Sequence, residues 1–76
     1  MTEAFVLTTT EVGKVRDVFN KTKDLKGIKD VRIVTGPYDL IIQASAEDMA
    51  ELTNVIIEKI HEIEGVIDTN TAIIVE

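Results

Sequence analysis

Four residues near the middle of the chain, Gly36-Pro37-Tyr38-Asp39, combine a turn signal with a phenol and a carboxylate. Two further clusters are rich in hydroxyls: Thr8-Thr9-Thr10 and Asp68-Thr69-Asn70-Thr71. Hydroxyls and turn N–H groups can hold a carboxylate. Asp39 or free carbonyls can hold an ammonium, and Tyr38 offers an amphipathic wall. A small zwitterion such as an amino acid suits this set. A structural reading competes with it: Gly-Pro-x-Asp makes a turn, and threonines favour strands.

Other patterns that resemble chemistry are weaker. Glu58-x-x-His61 matches half of a di-iron motif, but such sites need two copies and further carboxylates on facing helices. His61 lies about 120° around its helix from Met49, toward solvent. Glu47 and Asp48 suit the first turn of a helix, where acids complement the dipole. There is no Cys, no phosphate-binding glycine loop and no dinucleotide fingerprint. With one His, a structural zinc site is excluded. No catalytic residue, metal site or cofactor is therefore expected.

Composition narrows the partners. The chain has 76 residues and a net charge of -6. Nucleic-acid binding needs a basic surface to displace counterions from phosphate, so direct contact with DNA or RNA is disfavoured. An anionic membrane is disfavoured for the same reason. The segment MTEAFVLTTTE carries an acid where a signal peptide has bases. No apolar run approaches the roughly 20 residues of a membrane span. These features point to a cytoplasmic protein, so the Asn20-Lys21-Thr22 acceptor pattern is read as chance. Lys14, Lys21, Lys23, Lys26 and Lys29 alternate with acids and read as a solvated face.

One domain fits this length, and its core is marginal: a chain this short buries only about 60% of its unfolded surface. Without disulfides or zinc, oligomerisation is the remaining common route to stability.

Residues 4–9 read as a strand. Val12, Val15, Phe19 and Thr22 recur at helical spacing, predicting a helix over 11–24. Strands follow at 31–35 and 40–44, joined by the corner 36–39. Ser45 with Asp48 resembles a capping box. Met49, Leu52, Ile56, Ile60 and Ile63 predict a second helix over 46–63, and the last strand spans 67–75. Gly27 and Gly65 each follow a helical pattern, as C′ glycines do. They belong to a weak repeat, LKGIKDVRIV against IEGVIDTNTAIIV.

The order β-α-β-β-α-β with right-handed crossovers predicts an α+β, ferredoxin-like fold. Its four-stranded antiparallel sheet, in order 4-1-3-2, carries both helices on one face. This topology brings residues 8–10, 36–39 and 68–71 to one rim of the sheet. The other face should then be polar in a monomer, yet side chains alternate. Phe5 and Leu7 oppose Ala4 and Val6; Leu40 and Ile42 oppose Ile41 and Gln43; Ile73 and Val75 oppose Ala72 and Ile74. Such a sheet is apolar on both sides, and a second copy is expected to cover the open one. Val55 and Ile57 widen the apolar stripe of the second helix, through broad packing or a further subunit.

Three motifs in order carry a family resemblance. Gly36-x-Tyr38-Asp39 leads into an apolar strand, Ser45-x-x-Asp48 opens a helix, and Gly65-Val66-x-x-Thr69-x-Thr71 enters the last strand. From Ala4 to Val75 the chain resembles the effector-binding (RAM) domain of the Lrp/AsnC, or feast/famine, transcription regulators. The resemblance implies a dimer with sheets face to face, assembly into rings, and small effectors, commonly amino acids, bound between dimers. Carried over by position, it implies Gly36, Tyr38, Asp39, Thr69 and Thr71 as ligand-binding residues. Family regulators carry a helix-turn-helix, for which 76 residues leave no room, so a stand-alone form is expected. Pro37 removes one backbone N–H from the turn.

The resulting expectation is a single domain, 1–76, that is not an enzyme. It senses a small molecule such as an amino acid, assembles with itself and with full-length Lrp/AsnC regulators, and modulates transcription indirectly. A small dimeric α/β-barrel enzyme and a purely structural oligomerisation module are the rivals. Sedimentation at high micromolar concentration should find the chain associated; a monomer would remove the covered-face reading.

Overall fold

A computed structural model describes residues 1–76. Strand β1 (Thr2–Thr10) leads to helix α1 (Val15–Thr22), then β2 (Ile28–Ile33) and β3 (Leu40–Ala46). Helix α2 (49–61) is an α-turn Met49–Glu51, a π segment Leu52–Ile57 and a closing turn Glu58–His61. Strand β4 (Val66–Ile73) ends the order. The sheet is antiparallel, β2-β3-β1-β4, which is the expected order read from the other edge. The ferredoxin-like α+β architecture is therefore as the alternation of elements predicts.

Register explains the core. Ala4 pairs with Ala44, Val6 with Ile42 and Thr8 with Leu40, and directly paired residues share a face. All six are fully buried, beneath Val18 of α1 and Leu52, Ile56 and Ile60 of α2. Burying a Val, Leu or Ile contributes roughly 1.5–3 kcal/mol, so this layer dominates the stability of so small a domain. Thr8 and Thr22 sit in it with their hydroxyls bonded to the carbonyls of Val6 and Val18.

Several boundaries differ from expectation, each for a local reason. Helix α1 starts at Val15 instead of residue 11, because Gly13 (φ +82) turns the chain first. Val12 is consequently exposed, and Val18 takes the buried place on the stripe. The capping box is not Ser45 with Asp48. Ser45 belongs to β3, where its N–H donates to the Gly27 carbonyl at 2.8 Å. Asp48 is the N-cap and accepts from the Glu51 N–H at 2.8 Å, while the Glu51 carboxylate accepts from the Glu47 N–H at 3.0 Å. Met49, expected on the apolar stripe, is exposed at the helix start. Leu52, Ile56 and Ile60 are spaced by four. In an α-helix that spacing overshoots by about 40° per step, and the slower winding of the π segment reduces the drift. Strand β2 occupies 28–33, not 31–35, with a register shift between Ile28 and Asp30.

Gly27 lies five residues beyond the end of α1, so it is not a C′ glycine. Gly27 and Gly65 are instead matching braces of the two halves. Gly27 precedes β2 and accepts from Ser45 at the end of β3; Gly65 precedes β4 and accepts from Glu11, just past β1, at 2.8 Å. Each has positive φ, +89 and +102. A Cβ on Gly27 would meet Ile56 Cδ1 of α2 at 2.5 Å, and one on Gly65 would meet Val18 Cγ2 of α1 at 3.0 Å. The weak internal repeat thus encodes two places where a strand passes under the other half's helix.

The open face is narrower than its alternation suggests. Phe5, 39% exposed, lies with Leu7, Ile41 and Ala72 at the centre. Around them stand Glu3, Gln43, Asp30, Arg32, Asn70 and Asp68. Glu3 accepts from Lys29 Nζ at 3.4 Å and from Gln43 Nε2 at 3.3 Å. The Asp30 carboxylate, 2.9 Å from Arg32 Nε, raises that guanidinium's pKa by hydrogen bonding and by charge. Strand β4 is not apolar on both sides, because Asp68 and Asn70 occupy its open side and Val75 lies beyond the strand.

Replacing Gly65 by Ala should destabilise the fold by about 1–3 kcal/mol through backbone strain and overpacking combined. Gly13→Ala, with open space around it, should cost less. Chemical denaturation of the two variants at one protein concentration measures the difference; equal losses would remove the brace.

Candidate functional site

The three clusters do meet at one end of the sheet. Thr8 pairs with Leu40 on one side and with Thr69 on the other, and Thr9 pairs with Asp68. The corner is anchored by Asp39. Its N–H donates to the Thr8 carbonyl at 2.9 Å, and its own carbonyl accepts from the Val34 N–H at 2.9 Å. Its Oδ2 accepts from the Thr10 N–H at 2.8 Å. One residue therefore ties the ends of β1 and β2 to the start of β3. Asp39 is half-buried, and one carboxylate oxygen already has a structural partner.

Gly36 is exposed, with φ +134, and Tyr38 is half-buried on the same corner. Pro37 is in the trans form, as no peptide bond is cis. Thr69 and Thr71 share the helix side of β4, opposite Thr8 and Val6. Thr69 is half-buried and Thr71 exposed. The five residues form two groups separated by β1: Gly36, Tyr38 and Asp39 at the corner, Thr69 and Thr71 on the edge strand. None of them lines any of the three surface grooves of the single chain.

The edge adds backbone groups. The Ile74 N–H donates to the Glu3 carbonyl at 2.9 Å. By ladder alternation, Thr69, Thr71 and Ile73 then turn their N–H and C=O groups away from β1. The Asp68 carboxylate claims one of these, accepting from the Thr69 N–H at 2.9 Å. The edge strand thus offers hydroxyls and main-chain donors and acceptors together.

His61 is the residue that helical phase alone misses. It is exposed, as expected, yet its Nδ1 lies 3.5 Å from the Thr69 hydroxyl. The last turn of α2 brings it there, four residues before Gly65, through which the chain reverses into β4. Helical phase places a residue relative to its own helix only, whereas this neighbour comes from the following strand. Any molecule held by the Thr69 hydroxyl on this side meets the imidazole. No group of three or more His, Cys, Asp or Glu is placed to hold a metal ion. No helix is long and apolar enough to cross a membrane.

Comparison with known proteins finds relatives over nearly the whole chain. Residues 3–76 match the model of the Lrp/AsnC ligand binding domain. An uncharacterized HTH-type transcriptional regulator of Pyrococcus abyssi is 35% identical over 71 residues, which are 93% of this chain and 45% of that protein. The chain spans about half the length of the curated regulators it matches first. A 52-residue stretch is 36% identical to homocitrate synthase of Sulfolobus acidocaldarius, 68% of this chain but 11% of the enzyme. A Thermus thermophilus crystal structure superposes with TM-score 0.92 at 33% identity, covering 100% of this chain and 95% of that one. A transcriptional regulator of Neisseria meningitidis, crystallised with L-Met, shares the fold at TM-score 0.85 and 18% identity, over 99% of this chain and 50% of that one. By a family model that spans nearly its whole length, the chain belongs to the Lrp/AsnC ligand-binding domain family.

Proposed function

We propose that this domain senses a small effector, an amino acid, at the rim formed by Gly36, Tyr38, Asp39, Thr69 and Thr71, and passes the signal on through its state of assembly. The observation that carries the reading is the rim itself. Hydroxyls and edge backbone groups of β4 stand one strand away from a phenol and a carboxylate, yet no groove of the single chain includes them. A ligand on so open a surface keeps its water, and a second copy laid over it would exclude that water. The open sheet face supports such association, with an apolar centre of Phe5, Leu7, Ile41 and Ala72 inside a polar rim. A ligand held between copies favours the assembled state by mass action.

The relatives fit a sensing role. Matches to this domain occur in HTH-type regulators and in homocitrate synthase, proteins with different outputs. A component common to different outputs supplies the input. In that reading the domain has no catalytic step of its own, and it acts on transcription by joining regulators built on the same domain.

Asp39 is a poor choice for testing the site, because its removal also frees Thr10 and loosens the corner. Thr71 is better, since its side chain is exposed. Calorimetry against the twenty amino acids should find at least one that binds at or below millimolar concentration. Thr71→Val should weaken it by roughly tenfold, the loss of one hydrogen bond of about 1.4 kcal/mol. Phe5→Glu should weaken self-association in sedimentation by at least about tenfold, since burying a Phe contributes roughly 1.5–3 kcal/mol. Binding of no amino acid would end the sensing reading; a ligand bound equally well by a monomeric Phe5→Glu protein would end its link to assembly.

A further inference from the structure

A second set of groups lies at the opposite end of β3 from the rim. Leu40 begins that strand at the rim, and Ser45, five residues on, stands about 17 Å away at roughly 3.3 Å per residue. There Lys26, Gly27, Ser45, Glu51, Val55, Ile56 and Lys59 enclose a groove of about 250 Å³. It runs between α2 and the turn that enters β2.

Three features shape it. Gly27 has no side chain, and the space a Cβ would need is filled by Ile56 Cδ1. The floor is thus Ile56 and bare backbone, held by the bond from the Ser45 N–H to the Gly27 carbonyl. Val55 and Ile56 both belong to the π segment of α2, and such segments are frequent at functional sites. Val55, 43% exposed, forms an apolar lip that nothing in the domain covers. Lys26 and Lys59 bring two positive charges to this one groove of a chain whose net charge is -6. The single acid present, Glu51, already accepts from the Glu47 N–H with Oε1.

We propose that this groove is a second ligand site, for a small carboxylate with a short apolar body and no ammonium group, of the class of branched 2-oxo acids. The carboxylate pairs with Lys26 and Lys59. The aliphatic part lies on Val55 and Ile56. Beside two lysines and one engaged acid, an α-ammonium would add a like charge, so the site discriminates against the corresponding amino acid. The groove shares no residue with the rim, and this inference does not depend on what the rim binds.

The test is amide-shift mapping by NMR on the full chain, with 4-methyl-2-oxopentanoate and leucine as probes. The oxo acid should give saturable shifts at Gly27, Ser45 and Val55 below about 10 mM. Leucine should leave these three amides unmoved. The Lys26→Gln, Lys59→Gln double variant alters two exposed side chains and should weaken the oxo acid by at least about tenfold. Thr71→Val, at the rim, should leave its affinity unchanged. Absent or non-saturating shifts, equal shifts from leucine, or undiminished binding in the lysine variant would each overturn the proposal.

Discussion

Burial of the paired rows Ala4–Ala44, Val6–Ile42 and Thr8–Leu40 beneath two helices is the interaction on which the molecule depends. The strand period of two then settles much else. A slip of one residue would exchange the two faces of a strand, so helix-side burial also decides which residues are left outside. Phe5, Leu7 and Ile41 stand on the open face because their neighbours are needed beneath α1 and α2. The apolar open face is a consequence of core register, and Glu3, Gln43, Arg32 and Asn70 frame it.

The same economy shapes the two ends of the sheet. At the rim, Asp39 spends backbone and side-chain groups on holding three strand ends together. What remains for the proposed recognition is the edge strand, Tyr38 and the hydroxyls of Thr69 and Thr71. At the other end, Gly27 lets Ile56 approach the sheet, in the place where a side chain would otherwise stand, and the two form the floor of a groove. In both places a residue committed to structure creates room for chemistry beside it.

Portability follows from the topology as well. The start of β1 and the end of β4 are neighbours in the sheet, with Ala4 paired to Ile73. Flanking sequence can enter and leave at one place without crossing the core. This suits a domain whose relatives include parts of HTH-type regulators and a small fraction of an enzyme.

Element order, sheet topology, the rim's three clusters and the family resemblance could all be read from the chain, because they rest on periodicity and turn residues. Periodicity also overreached: it put Val12 on a helix that Gly13 prevents, and made Ser45 a cap when β3 needed its backbone. The sequence by itself therefore determined which face of each strand is apolar and which residues form turns, since both are properties of near neighbours. Only the tertiary structure decided that Asp39 holds Thr10, that His61 stands beside Thr69, and that Gly27 lies under Ile56. Each of these joins residues far apart along the chain or on different elements, and such contacts exist only once the strands have paired and the helices have been laid across them.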